Sequence, residues 1–161
     1  APFKILRAAQ PHIKRLFLEE KENGITNFRK VVNISSTSGM FGNAGQINYA
    51  TAKAGVVGMA KTMAKEWGRY NVNVNAVGFG LIKTRLTDAD AEKEESLIDI
   101  QGNKIKVGVN SAVFQSAKTM IPLGRPGTPQ EAAGAIYMFC IPESNYVTGQ
   151  ILMCHGGGFG Y

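Results

Sequence analysis

The sequence predicts an α/β fold in which three strands of a parallel sheet are flanked by helices within one domain, residues 1–161. Two apolar segments, 30–35 and 72–77, carry β-branched side chains, and a long stretch of helical periodicity separates them. A strand, helix, strand order with a connection of this length makes the two strands parallel, with a right-handed crossover. At 161 residues the chain is long enough to bury one core.

The chain begins with a predicted helix over residues 2–22. Pro2 stands in the first turn, where a missing N–H costs nothing, and the helix should end near Asn23 and Gly24. Its apolar positions with helical spacing are Phe3, Leu6, Ile13, Leu16 and Phe17. The strand that follows, 30–35, is apolar without alternation, which is typical of a strand covered on both faces.

A second helix is predicted to end at Gly68, and strand 72–77 follows it. The apolar face of that helix is Ala50, Ala54, Val57, Ala60, Ala64 and Trp67. Residues 84–117 are charged and mixed in composition, which indicates an arm over a site more than a core layer.

Thr128 begins the last predicted helix, because it can cap the helix while Glu131 completes a capping box. The predicted buried side of this helix is Ala133, Ile136, Tyr137 and Phe139. A third strand is expected over 150–154, and it leads into the glycines at 156–158.

Composition limits the class of protein. The chain is 44% hydrophobic and 19% charged, and no apolar run approaches the roughly 20 residues of a membrane span. The first residues lack a secretory signal pattern, so we expect a cytoplasmic or reducing organelle location and no secretion. Cys140 and Cys154 lack the spacing of metal ligands and are expected to be buried thiols, with no metal site.

The formal net charge of +6 is uneven, since six acids lie between residues 88 and 99. A basic remainder can attract a phosphate-bearing cofactor or an acidic carrier, although an ordinary solvated surface explains the charge as simply. Nucleic acid is not an expected partner, because the basic residues are scattered and no aromatic platform accompanies them.

The candidate catalytic residues are Ser36, Tyr49 and Lys53. Ser36 stands where the first strand ends, and Tyr49 and Lys53 are four residues apart on the following helix, on one face. A phenol is a weak acid near neutral pH, but a nearby ammonium stabilises its anion. With a serine hydroxyl to hold the substrate oxygen, the set suits proton donation to a carbonyl that receives hydride from a cofactor.

The glycines between strand and helix, Gly39, Gly42 and Gly45, do not indicate a phosphate-binding loop. The segment is too long for the tight Gly-x-Gly-x-x-Gly turn, and no Gly-Lys-Ser/Thr follows. An isolated Tyr and Lys pair at this spacing would be an ordinary exposed helix face. The strand, the serine and the turn make the catalytic interpretation the stronger one.

The residues resemble the short-chain dehydrogenase/reductase family, nearest to the 3-oxoacyl-[acyl-carrier-protein] reductase type. The matching segments are residues 31–36, 42–55, 74–77, 121–126 and 146–150. The resemblance implies the C-terminal part of a doubly wound, Rossmann-type sheet and a carbonyl reductase that uses NADP or NAD. It assigns Ser36, Tyr49 and Lys53 as the catalytic residues.

The same resemblance implies that the cofactor is bound by Tyr49, Lys53, Gly80, Ile82 and Thr84. It also implies a keto or acyl substrate and a homo-oligomer, without nucleic acid or membrane. The family's glycine-rich nucleotide-binding turn and the strands around it have no counterpart in the chain. The strand at 30–35 is therefore expected to be an apolar sheet edge.

Two positions depart from the family pattern. Phe79 precedes Gly80 where the family has proline, and His155 precedes Gly156 where the family has aspartate. We interpret His155 as a substituted structural position, not a catalytic base. An alternative to the enzyme is a truncated, non-catalytic module that acts through oligomer assembly. Residues 1–161 leave the substrate and the choice between NAD and NADP open.

Overall fold

The computed structural model describes residues 1–84, 97–100, 102–106, 116 and 119–158, and for 97–100 and 103–106 it describes the backbone. The elements are α1 (Pro2–Glu22), β1 (Arg29–Ser36), α2 (Thr37–Phe41), α3 (Ile47–Trp67), β2 (Val72–Phe79), β3 (Leu97–Ile100), β4 (Asn103–Lys106), α4 (Pro129–Tyr137) and β5 (Ile151–Cys154). Short 3-10 turns cover Gly68–Tyr70 and Pro142–Ser144. The predicted helices and the three predicted sheet strands are all present.

The central sheet has three parallel strands in the order β1-β2-β5. Its register pairs Ser36 with Phe79 and Phe79 with Cys154, so the three strands end at one level. Of the described strands, β1 pairs only with β2, which agrees with the expected sheet edge. The aligned carboxyl ends form the edge at which open α/β sheets bind ligands.

One face of the sheet packs against α3. Val72, Val74 and Ala76 of β2 are at most 1% exposed and contact the α3 side chains Ala60 and Trp67. Small residues on α3 allow the helix to lie close to the branched side chains of the strand. This packing fixes α3, and therefore the residues at its first turns, relative to the end of β1.

The opposite face packs against α4. Val77 of β2 contacts Ala135 and Phe139, and Phe79 lies against the same cluster. Part of the predicted buried side of α4 is wrong: Ala133 is exposed, and Tyr137 is 67% exposed. The sheet selects the phase of the helix, and the inward side chains are Ala132, Ala135, Ile136 and Phe139.

Helix α1 is held to the sheet by an ion pair at its last turns. Glu20 accepts two hydrogen bonds from the Arg29 guanidinium, at 2.6 and 2.9 Å, and both side chains are largely buried. The Arg29 guanidinium is the main cause that lowers the pKa of Glu20. Elsewhere α1 buries little, and Phe3 is 63% exposed.

The predicted arm at 84–117 lies mostly outside the described residues. Its described part contains β3 and β4, an antiparallel pair joined through Gly102, which has φ +81°. This hairpin was not predicted from the sequence. Within the ranges that the structure describes, no helix is both long and apolar enough to cross a membrane.

The expectation of two buried cysteines is wrong for Cys140, which is exposed, whereas Cys154 is partly buried. Cys140 lies just after the end of α4. Burial raises the pKa of the Cys154 thiol.

Candidate active site

Ser36 ends β1 and caps α2. Its side chain is buried, with the residue 8% exposed, and its Oγ accepts a hydrogen bond from the Ser38 backbone N–H at 3.2 Å. A hydroxyl that accepts at an N-cap still has its own hydrogen to donate. The fold therefore fixes the Ser36 oxygen and leaves its O–H available for a ligand.

Tyr49 and Lys53 lie in the first two turns of α3. The Lys53 ammonium is 5.6 Å from the centroid of the Tyr49 ring, within the range of a cation–π contact. Tyr49 is 43% exposed, so its ring is accessible from solvent. The helical spacing thus places a cation beside the phenol.

Lys53 is tied to the end of β1 by two hydrogen bonds. Its ammonium donates to the Ile34 carbonyl at 3.0 Å, and its own carbonyl accepts from the Ser35 hydroxyl at 2.9 Å. An ammonium has three N–H donors, and one is used by Ile34. The contacts hold Lys53 next to the strand that ends in Ser36.

A close approach between α2 and α3 supports this arrangement. Gly39 lies directly on the α3 backbone, because a Cβ built on it would be 2.7 Å from the carbonyl carbon of Lys53. The Ser38 hydroxyl and the Asn43 amide both donate to Gln46 Oε1, at 3.0 and 3.1 Å. Sequence reasoning treated Gly39 only as part of a loop and missed this contact.

The segment after β2 carries the predicted cofactor residues Gly80, Ile82 and Thr84. The Gly80 N–H donates to the Cys154 carbonyl at 3.0 Å, and Ile82 forms an isolated bridge with Gly127. The Gly127 N–H donates to the Leu81 carbonyl at 3.0 Å. Gly80 and Ile82 are therefore anchored on two sides, and Thr84 is exposed at the end of the segment.

Three residues each lie one position beyond the end of a strand of the central sheet: Thr37, Gly80 and His155. A Cβ built on Gly80 would be 2.7 Å from the His155 Cβ and 3.7 Å from the Thr37 methyl. The three residues thus form a row along the carboxyl edge of the sheet. The contact between His155 and Gly80 was not predicted, and the substituted aspartate position was the only signal for it.

The arrangement offers three groups for carbonyl chemistry at one sheet edge: a hydroxyl donor, an accessible phenol and an ammonium. These donors also fit a nicotinamide cofactor, since Lys53 has N–H groups left for ribose hydroxyls. No group of three His, Cys, Asp or Glu that could hold a metal ion occurs in the part of the chain that the structure covers.

Two family models and a group of known proteins match the chain. The family model for short chain dehydrogenase matches residues 2–95, and the model described as enoyl-(acyl carrier protein) reductase matches residues 103–158. The chain is 42% identical over 127 residues to a 3-oxoacyl-[acyl-carrier-protein] reductase of Thermotoga maritima, covering 79% of this chain and 44% of that protein. The corresponding protein of Aquifex aeolicus is 38% identical over 130 residues, covering 81% and 45%.

Solved structures support the fold. A 4-hydroxyisoleucine dehydrogenase complexed with NADH and succinate superimposes with a TM-score of 0.69 and 24% identity, over 97% of this chain and 53% of that one. The same enzyme with NADH alone gives a TM-score of 0.63 and 23% identity, over 89% and 51%. The chain spans about half the length of its relatives. With its Rossmann-type parallel sheet and its match to the family model, the chain belongs to the short-chain dehydrogenase family.

Proposed function

We propose that the chain carries the catalytic portion of an NAD(P)H-dependent reductase that converts a 3-oxoacyl or similar keto substrate to an alcohol. The observation that carries the proposal is the Lys53 ammonium, which lies beside the Tyr49 ring while bonded to the strand that ends in Ser36. The relatives from Thermotoga maritima and Aquifex aeolicus are named as 3-oxoacyl-[acyl-carrier-protein] reductases, which supports the substrate class.

In this proposal the substrate carbonyl oxygen accepts hydrogen bonds from Ser36 and Tyr49. When bound, the reduced nicotinamide supplies the hydride. Negative charge then develops on the oxygen, and the Ser36 hydroxyl stabilises it by a charge-assisted hydrogen bond. The Tyr49 phenol transfers its proton to that oxygen, which completes the alcohol and leaves a phenolate.

Lys53 has two roles in this scheme. Its ammonium, 5.6 Å from the centroid of the Tyr49 ring, attracts the phenolate left after proton transfer, because the two groups carry opposite charges. Its remaining N–H groups, together with Gly80, Ile82 and Thr84, would hold the nicotinamide end of the cofactor. The Ile34 carbonyl keeps the ammonium at the strand end, so little side-chain freedom is lost when substrate binds.

The test compares two lysine variants of the full chain. Lys53→Met should reduce the rate of 3-oxoacyl thioester reduction at least about 100-fold, because both the phenolate and the cofactor lose a cation. Lys61→Met is the matched control, since Lys61 is exposed two turns further along α3. Absence of cofactor-dependent reduction in the unaltered full chain would contradict the proposed function, as would equal rates in the two variants.

A second candidate function is assembly without catalysis. A groove of about 720 Å³ between α1 and α3 is lined by apolar side chains that include Phe3, Leu6 and Trp67. An apolar groove of this kind is typical of a surface that another chain covers. This candidate predicts a stable oligomer that does not bind a nicotinamide cofactor.

Light scattering coupled to size-exclusion chromatography measures the oligomeric state of the protein. We expect a homo-oligomer under either candidate. A cooperative, folded monomer would contradict the assembly function and leave the reductase to be judged by its activity. Cofactor binding measured by fluorescence in the same sample distinguishes the enzyme from the non-catalytic module.

A further inference from the structure

His155 accepts a hydrogen bond that determines the state of its ring. The Gly157 N–H donates to His155 Nδ1 at 3.1 Å. An imidazole nitrogen can accept only when it carries no proton, so this hydrogen bond requires the tautomer with its hydrogen on Nε2. His155 therefore presents an acceptor nitrogen to the turn.

This hydrogen bond shapes the turn that follows β5. Gly156 and Gly157 have φ of +65° and +83°, which side chains rarely adopt, and the Gly158 N–H donates to the His155 carbonyl at 3.1 Å. The His155 ring and its backbone therefore each hold one N–H of the same turn. Without the Nδ1 acceptor, the Gly157 N–H would lose its partner in the turn.

The turn packs against residues 121–123, which precede α4. A Cβ on Gly156 would be 2.7 Å from Ile121 Cγ2, and Ile121 is only 4% exposed. The Leu123 N–H donates to the Gly156 carbonyl at 3.2 Å, and Pro122 lies 3.1 Å from a Cβ on Gly157. The position of residues 121–123 is thus set by the turn.

The other side of His155 sets the position of Gly80. The two residues are in direct contact, and the Gly80 N–H is bonded to the residue that precedes His155. Any shift of His155 is therefore transmitted both to the segment that begins at Gly80 and, through the turn, to residues 121–123.

We propose that His155 is a positioning residue that couples the Gly80–Ile82 segment to residues 121–123, with Nδ1 as the acceptor that fixes the turn. The inference rests on the proposed function, in which Gly80 and Ile82 help to hold the nicotinamide. His155 does not touch the reacting atoms, and its effect is on the binding of the cofactor.

The test uses steady-state kinetics of the full chain with two variants of His155. His155→Phe keeps a ring against Gly80 but removes the acceptor, and we expect the KM for the cofactor to rise about 5- to 10-fold. The kcat should change less than about 3-fold, since Ser36, Tyr49 and Lys53 are held by β1, α2 and α3. His155→Asn offers an amide oxygen near the place of Nδ1 and should restore the cofactor KM to within about 2-fold.

His12→Phe is the control, because His12 is exposed on α1. An unchanged cofactor KM in His155→Phe, or equal defects in His155→Asn and His155→Phe, would overturn the coupling. If His155→Phe does not fold, nitrogen NMR of the imidazole in the unaltered protein decides the matter, since a proton on Nδ1 contradicts the proposal and a proton on Nε2 supports it. Failure of the reductase itself is recognised separately, by an unaltered chain that lacks activity.

Discussion

Replacing Gly39 by alanine should separate α2 from α3 and disturb the site. The added Cβ would be 2.7 Å from both the carbonyl carbon and the Cβ of Lys53, and 2.8 Å from the Ala54 nitrogen. Ordinary carbon contacts are about 3.5 Å or longer, so the helices must move apart by about 0.8 Å. Backbone atoms cannot rotate away as a flexible side chain can.

The magnitude follows from two opposed effects. Overpacking against backbone costs about 2–3 kcal/mol, and alanine in place of glycine in a helix returns about 0.5–1 kcal/mol. Gly39→Ala should therefore lower the free energy of unfolding by about 1–2 kcal/mol. Gly58→Ala is the matched control in α3, because a Cβ there meets nothing within 4 Å, and it should raise stability by about 0.5–1 kcal/mol.

Urea unfolding followed by circular dichroism at fixed protein concentration measures both variants. The opposite signs of the two effects make the comparison independent of any general effect of alanine. Gly39→Ala should also lower kcat at least about tenfold, since Ser36 and Lys53 lie on the separated elements. A Gly39→Ala protein as stable as Gly58→Ala would refute the argument that α2 is pressed onto α3 at Gly39.

Further predictions concern charge and thiol chemistry. The Arg125 guanidinium and the Thr128 N–H lower the pKa of Glu131 from 4.5 to about 2, so its contribution to stability is present above about pH 4.5 and is lost as the pH falls towards 2. Glu131→Gln should therefore have a lower free energy of unfolding than the unaltered protein in urea at pH 7. The difference between the two proteins should shrink as the pH falls from 4.5 to 2. A difference that does not depend on pH would contradict the role of the Glu131 carboxylate. In titration with a thiol reagent under native conditions, exposed Cys140 should react well before Cys154, whose pKa is raised by burial, and Cys140→Ser should abolish the fast phase.

The backbone elements were predictable because their signals are local. The β-branched side chains of Val72, Val74 and Val77 favour a strand, and β2 is a strand that is buried from Val72 to Gly78. The capping box at Thr128 is likewise encoded within four residues, and both of its hydrogen bonds are present. Local chemistry of this kind needs no knowledge of the tertiary structure.

The features that were missed depend on contacts between distant parts of the chain. The phase of α4 is set by its packing on β2 and β5, so the exposure of Tyr137 could not be read from helical spacing alone. Cys140 was expected to be buried because its neighbours are apolar, yet it is exposed just after the end of α4. The contact of Gly39 with Lys53 joins residues 14 apart in sequence, and nothing in the glycine itself indicates its partner.

The proposed reduction depends most on Tyr49 as the proton donor, and the single-turnover rate of cofactor oxidation with a 3-oxoacyl thioester tests this directly. Tyr49→Phe in the full chain should lower the rate at least about 100-fold, because the ring stays but the proton is lost. Tyr146→Phe should leave the rate unchanged, since Tyr146 is fully exposed on a turn. A Tyr49→Phe protein that turns over within about twofold of the unaltered chain would contradict the assignment.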